Sequence, residues 1–351
     1  MEAHVCFTEK LIHWYKLNYR DLPWRKNSNP YLIWVSEIIL QQTQVLQGTP
    51  FYEKFVNRFP TIEKLAEASQ QDVLAVWQGL GYYQRAINLH KAAQIISNTH
   101  SGIFPSIYEQ LIELPGIGDY TASAILSICF QKPFGVVDGN VYRFFARYFG
   151  IDIPLGSSLA FKTFKDLSNR YLDSGSPGLY NQAIMEYGAL VCTYQNPKCL
   201  SCIFQEKCYA FNQNKIHQLP VKKSKKTIRN RYLNYLVIKT PQGQYVLEKR
   251  KTNDIWPSLY QFPLIESNSE LKEVHQLVSE MGSLESSITQ GTIIEKWNQN
   301  PIVQLLSHQR LFITFWILKN LNKTFEKTYW IKQLSAKPFP MVLSNFVKKF
   351  F

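Results

Sequence analysis

Six side chains in this sequence are of types that do chemistry and are spaced as chemistry requires. Two are carboxylates, Glu37 and Asp138, and four are thiols, Cys192, Cys199, Cys202 and Cys208. The thiols follow a C-x6-C-x2-C-x5-C pattern, and four thiolates in so short a segment can surround one compact metal centre. Iron–sulfur clusters are held by such sets. Structural zinc usually shows two close cysteine pairs, and here only Cys199 and Cys202 form one, yet spacing alone leaves both metals open. Asp138 stands in Val-Asp-Gly-Asn-Val-Tyr-Arg, where a helix is expected to begin, and reads as its N-cap. Capping and the helix dipole hold a carboxylate ionised at neutral pH. An anion fixed in this way can face a sugar that becomes cationic as its base leaves. Asn140 either orients groups near Asp138 or helps cap the same helix. Glu37 lies among Leu32, Val35, Ile38 and Ile39 in an otherwise apolar helix. By residue type it reads as a solvated helix carboxylate, whereas burial would raise its pKa and keep a proton available for donation.

The elements that must position these groups are readable around them. Residues 114–122, Leu-Pro-Gly-Ile-Gly-Asp-Tyr-Thr-Ala, form a glycine turn opening a helix of small residues. Gly116 and Gly118 permit backbone angles that a side chain would forbid and expose amide N–H groups at a helix N-terminus, an arrangement that binds phosphate. Ser69-x-x-Asp72 and Ser106-x-x-Glu109 read as capping boxes, and the run from Pro30 to Phe59 reads as a buried helix pair. Cys6 and Cys129, outside the cysteine set, are expected to be buried structural thiols.

With 351 residues the chain has room for two domains, and 45% apolar content makes it globular. Its 39 Lys and Arg against 26 Asp and Glu give +13, which favours a polyanionic partner without deciding for one. The first residues carry no basic segment followed by an apolar run, and no apolar run reaches the roughly 18 residues of a membrane helix. A cytoplasmic protein with reduced thiols is expected. The helical pattern ends near residue 211; a basic linker, 213–231, holds seven basic residues and no acidic ones. Beyond it, YLNYLVIK and QYVLEKR read as two strands joined by a Pro-Gln-Gly turn, RLFITFWIL as a third, with a helix near 268–281. The second domain, 232–351, is therefore expected to be α+β, after a mainly α domain over 1–212.

LPGIGDYTA, then VVDGN, then the four-cysteine spacing resemble the endonuclease III superfamily of helix-hairpin-helix, iron–sulfur DNA glycosylases. Within it the resemblance is to the adenine-specific, MutY-type branch. It runs from Trp14 to Cys208 and includes LPW at Leu22–Trp24, SEIILQQTQV at Ser36–Val45 and GLGYYQRAINLHKAA at Gly79–Ala93. The resemblance implies that Glu37 is the general acid that protonates adenine and that Asp138 stabilises the cationic sugar, with a transient covalent adduct as one variant. It implies a hydroxyl at Tyr120 assisting near that cation, where strand-cleaving relatives carry a Schiff-base lysine. Base removal without efficient strand cleavage follows. It also implies that Gln42 and Tyr82 wedge into the duplex, and that the four cysteines hold a [4Fe-4S] cluster. The second domain is expected to be Nudix-like. It lacks the R-E-x-x-E-E helix of a magnesium-dependent hydrolase in LKEVHQLVSEMG, so recognition of 8-oxoguanine is its expected role. WPSLYQFP at Trp256–Pro263 resembles the family's tryptophan-rich loop, and Ser307 and His308 its lesion-reading loop; Leu306 stands where many members have phenylalanine. The implied partner is duplex DNA with adenine opposite 8-oxoguanine or guanine, bound by a monomer. The alternatives are a bifunctional glycosylase/lyase, a non-enzymatic damage-binding protein and an iron–sulfur redox protein.

Overall fold

The computed structural model describes residues 2–221, 227–251, 253–321, 323–334 and 336–351; the lysine tract at 222–226, central to the expected basic linker, lies outside the described residues. The first part of the chain is helical: α1 (Glu2–Asn18), α2 (Pro30–Leu40), α3 (Val45–Arg58), α4 (Ile62–Glu67), α5 (Gln70–Trp77), α6 (Gln84–Thr99), α7 (Tyr108–Ile112), α8 (Asp119–Phe130), α9 (Gly139–Phe149), α10 (Ser158–Tyr171), α11 (Pro177–Leu190) and α12 (Tyr209–Asn212). The rest is mixed: β1 (Arg229–Lys239), β2 (Tyr245–Val246), β3 (Glu248–Lys249), β4 (Tyr260–Gln261), β5 (Leu264–Ser267), α13 (Val274–Glu280), β6 (Ile293–Lys296), β7 (Ile302–Leu305), β8 (Gln309–Lys319), β9 (Thr328–Tyr329), α14 (Ile331–Leu334) and α15 (Met341–Phe350). By packing, residues up to 68 group with those from 88 to the basic tract, and residues 69–87 with those after it.

Local chemistry explains several helix starts in this part of the chain. Asn29 caps α2 with Pro30 at its first position, Thr61 caps α4 and Ser157 caps α10; each side chain satisfies an amide that a helix leaves unpaired. Ser69 caps α5 as its motif implies. Ser106 does not cap: α7 begins at Tyr108 with Ile107 at the cap position and no side-chain bond, and the Ser106 carbonyl is instead drawn to the Lys132 ammonium. The expected helix pair between Pro30 and Phe59 is α2 with α3. Cys6 departs from expectation and is exposed. The inward face of α1 is Phe7, Leu11 and Tyr15, four residues apart, and Cys6 falls off that stripe. Cys129 is half-buried.

The core of this unit is built around aromatics from α1, α9 and α11 and from the segment after Cys202. Phe7 stacks on Phe204 at 4.6 Å, Phe144 meets Tyr187 at 5.2 Å, and Tyr187 meets Phe204 at 5.2 Å. Such pairs add roughly 0.5–1.5 kcal/mol each beyond burial of their area, so the cysteine segment is sewn to the core.

In the second unit β1 and β8 run parallel over the whole register from Arg229↔Gln309 to Lys239↔Lys319, flanked in the order β6-β8-β1-β2-β9, with β5 on β1 and β7 on β8. Side chains alternate as a pleat requires: Leu233, Tyr235 and Val237 face the core under α15, and Leu236 and Ile238 the core under α13. RLFITFWIL is β8 as expected. QYVLEKR is not one strand. It divides at Leu247: Tyr245 and Val246 stay on the sheet of β1, while Glu248 and Lys249 pair with Gln261 and Tyr260 in a separate ladder. A helix (α13) lies within 268–281, capped by Glu273 with Gln276 completing a capping box.

Candidate active site

Glu37, Tyr120, Asp138 and Asn140 line one cavity of about 870 Å3 in the first unit, within the size range of small-molecule sites. Glu37 comes from α2, is buried, and accepts a 2.6 Å hydrogen bond from the Tyr120 hydroxyl on its Oε2. Burial pushes its pKa up to about 7; the Tyr120 hydroxyl opposes the shift and the charge of Asp138 adds to it. Burial likewise raises the Tyr120 phenol well above its usual value, so it remains a donor. The same hydroxyl lies 3.3 Å from Met185 Sδ.

Asp138 caps α9, as its sequence context implies: Oδ1 accepts from the amides of Asn140 at 2.9 Å and Val141 at 2.7 Å, and Oδ2 from Asn140 Nδ2 at 2.6 Å. Burial raises its pKa, and the Val141 amide, the two Asn140 bonds and the Arg143 charge pull it back. Capping therefore offsets only part of the burial cost. Of the two carboxyls, Glu37 meets one hydroxyl donor while Asp138 meets three N–H donors, which favour its charged form. Two carboxyls in contrasting environments share a cavity.

Sequence reasoning missed Arg143, which ties this pair to the cysteine segment. Its Nη2 donates to Asn140 Oδ1 at 2.9 Å and to the Gly188 carbonyl at 2.6 Å, and its Nε to the Cys192 carbonyl at 2.6 Å. The only available signal was a basic residue one helical turn past the N-cap. Also missed were Arg25 and Glu186, on the same cavity. Glu186 is buried beneath Arg20 and Arg25 at 2.6 and 2.8 Å. Burial works against its charge, but bonds from both guanidiniums hold its carboxyl down at about 2.

Cys192, Cys199, Cys202 and Cys208 are unpaired thiols and line one small cavity beside Phe144, Arg147 and Phe204. Arg147 is buried and braces the surrounding chain, donating to the carbonyls of Thr193 at 2.7 Å, Tyr194 at 2.9 Å and Leu219 at 3.0 Å. Tyr187 donates its hydroxyl to Cys202 Sγ at 3.0 Å. Among the described residues, no three His, Cys, Asp or Glu side chains are grouped so as to hold a metal ion.

The remaining sequence-derived positions sort by backbone and exposure. Gln42 lines the same cavity, is exposed, and has φ +57°. Gly116 has φ +82°, and a Cβ there would lie 2.9 Å from Asn88 Cβ, so both conformation and space demand glycine. Gly118 differs from expectation: its φ of −99° suits any residue, and a Cβ would meet nothing within 4 Å. Its bareness leaves open space in front of α8. In the second unit Tyr82 is exposed with φ +50°, and its hydroxyl lies 2.9 Å from Ser307 Oγ. Ser307 and His308 are exposed, whereas Leu306 packs against the sheet core.

Residues 35–166 match the model of the HhH-GPD superfamily base excision DNA repair protein, and residues 234–349 that of the NUDIX domain. The adenine DNA glycosylase of Buchnera aphidicola subsp. Baizongia pistaciae is 36% identical over 335 residues, covering 93% of this chain and 91% of that protein. The adenine DNA glycosylase of Rattus norvegicus is 41% identical over 228 residues, 62% of this chain and 44% of that one. Among solved structures, a thermostable thymine-DNA glycosylase superposes with a TM-score of 0.56 at 25% identity, over 60% of this chain and 98% of that one. An endonuclease III–DNA complex, 18% identical over 61% of this chain and 96% of that one, shares the fold with a TM-score of 0.52. Matched along nearly its whole length by a protein of that name, the chain belongs to the adenine DNA glycosylase family of base-excision DNA repair proteins.

Proposed function

We propose that this protein removes adenine mispaired with 8-oxoguanine, or with guanine, from duplex DNA by hydrolysing the N-glycosidic bond, and that it leaves the strand uncut. The observation that carries the reading is the shared cavity: a buried carboxyl whose pKa stands near 7 and a capped carboxylate open onto the same space. Contrasting environments for two carboxyls are how one site supplies an acid and an anion together. Extrusion of the nucleoside costs a few kcal/mol, least at a mispair; Gln42 and Tyr82, exposed in left-handed backbone, refill the stack. Glu37 donates its proton to a ring nitrogen of adenine. The bond from the sugar C1′ to the base then breaks, its electron pair leaving with the base. Asp138, held by Asn140 and Val141, faces the cationic sugar until water adds at C1′, and Tyr120 orients Glu37 through its 2.6 Å bond. Among the described residues, no lysine lines the cavity, which supports a monofunctional reaction.

DNA is the partner: amides at the start of α8, with open space before Gly118, suit a backbone phosphate, and Ser307 and His308 read the oxidised base. The enzyme acts as a monomer in the cytoplasm. Cys192, Cys199, Cys202 and Cys208, which line one small cavity and include a single close pair, would hold a [4Fe-4S] cluster rather than a structural zinc; when bound, the group braces this segment and takes no part in base removal. The test is a duplex bearing adenine opposite 8-oxoguanine, treated with enzyme with and without alkali. The expected strand breaks appear only after alkali, and Asp138→Asn binds the duplex while losing excision. Breaks without alkali, or excision by Asp138→Asn near the wild-type rate, would overturn the reading.

A further inference from the structure

The chain that delivers Asp138 runs without regular structure: residues 131–138 belong to neither helix nor sheet. Buried backbone groups must nonetheless be paired, and here side chains pair them one after another. The Phe134 carbonyl accepts from Asn181 Nδ2 at 2.7 Å, and the Gly135 amide donates to Asn169 Oδ1 at 2.9 Å. The Gly135 carbonyl accepts from Lys165 Nζ at 2.8 Å, the Val136 amide donates to Asn181 Oδ1 at 3.1 Å, and the Val136 carbonyl accepts from Ser168 Oγ at 2.8 Å. Lys165, Ser168 and Asn169 share one face of α10 at i, i+3 and i+4. Asn181, on α11, is fully buried.

Two of these side chains hold a second element as well. Lys165 Nζ also bonds Asp119 Oδ2 at 3.0 Å and Ser123 Oγ at 2.7 Å, and Asn181 Nδ2 bonds Ser127 Oγ at 2.8 Å. Asp119, Ser123 and Ser127 recur every fourth residue along α8, so they form a single polar face. Tyr108 secures the other oxygen of Asp119 at 2.9 Å. The helix so gripped carries Tyr120, the partner of Glu37. The strandless segment so gripped ends in Asp138.

We propose that Lys165 and Asn181 are positioning residues for base removal: a two-ended polar clamp that fixes the Asp138-bearing segment against the Tyr120-bearing helix. The clamp rests on the adenine-excision reading above. It sets the spacing between the proton donor's partner and the anion while touching neither substrate nor the reacting atoms. Lys165 is the end that can be tested with less damage to the core, because 14% of its side chain is exposed whereas Asn181 is fully buried.

The experiment compares full-length wild type, Lys165→Met and Lys165→Arg by amide hydrogen exchange, duplex affinity and single-turnover excision. In Lys165→Met, exchange of the Gly135, Val136, Asn140 and Val141 amides should quicken by about tenfold or more, with the α1 amides unchanged. Excision by the bound enzyme should slow roughly 10- to 100-fold, as small misplacements do, while duplex affinity stays within about threefold. Lys165→Arg should recover most of both losses. Should Lys165→Met not fold, Ser168→Ala removes one rung of the ladder and should move the same readings in the same direction. Unchanged exchange, or rate and affinity falling together, overturns the clamp. A wild type that removes no adenine strikes the parent reading alone, since the exchange result still decides whether the segment is clamped.

Discussion

Glu37 illustrates how one side chain takes its properties from what surrounds it. Its pKa rises from the ordinary 4.5 to about 7 chiefly because the folded chain strips water from it. Excision that needs this proton should be full in mild acid and decline as pH climbs through about 7, read from single-turnover rates across the pH range. Glu37→Gln should cut the rate roughly 10²- to 10⁴-fold, the usual worth of a general acid. It should also alter stability in a set direction. Below pH 4.5 folded and unfolded chains both hold the proton; between there and about 7 the unfolded chain has released it and the folded one has not, so wild-type stability falls across that window. Glutamine has no such loss, and urea unfolding should show the variant gaining on wild type by something on the order of 3 kcal/mol between pH 5 and pH 8. Both carboxyls were visible in the sequence, Asp138 through its helix-start context and Glu37 as an acid among apolar neighbours. Arg143 was not, because its partners are carbonyls 45 and 49 residues further along the chain. The relaxed backbone of Gly118 was hidden too, since residue type does not report φ.

Between helices, close approach decides what the site tolerates. Gly188 on α11 lies against Asn140 on α9, where a Cβ would come within 2.8 Å of both the Asn140 Cβ and its carbonyl oxygen. Gly188→Ala must push the helices apart at the residue that holds Asp138. It should cost about 1–3 kcal/mol in urea unfolding and lower the excision rate as well; an alanine variant as stable and active as wild type would show that the contact yields. Element starts were readable where the cap acts locally. Ser69 meets Asp72 within one turn, whereas α7 starts a residue later than the Ser106 motif implies, with Ile107 at its cap position. Likewise the apolar alternation of β1 and β8 was plain, but the split of QYVLEKR at Leu247 depends on β4, which nothing local announces.

At the scale of the molecule, the cysteine segment is joined to the candidate active site by covalent chain and by Arg143. Cys199→Ser should lower iron per chain and visible absorbance, and reduce thermal stability, because metal binding is folding free energy for such a segment. Wild-type iron content in that variant would remove Cys199 from the ligand set. The helical-then-mixed order of the chain was evident from periodicity and composition. That residues 69–87 pack with the second unit was not, because their helical pattern matches that of their neighbours.

The stacking of Phe7 on Phe204 has a consequence for biosynthesis. Helix α1 cannot be sealed against Phe204 until some two hundred further residues have emerged, and loop closure on that scale is slow. Until then Phe7, Leu11 and Tyr15 present a greasy stripe to solvent. A nascent chain interrupted before Phe204 is therefore a natural client for chaperones, however well its middle helices have already paired.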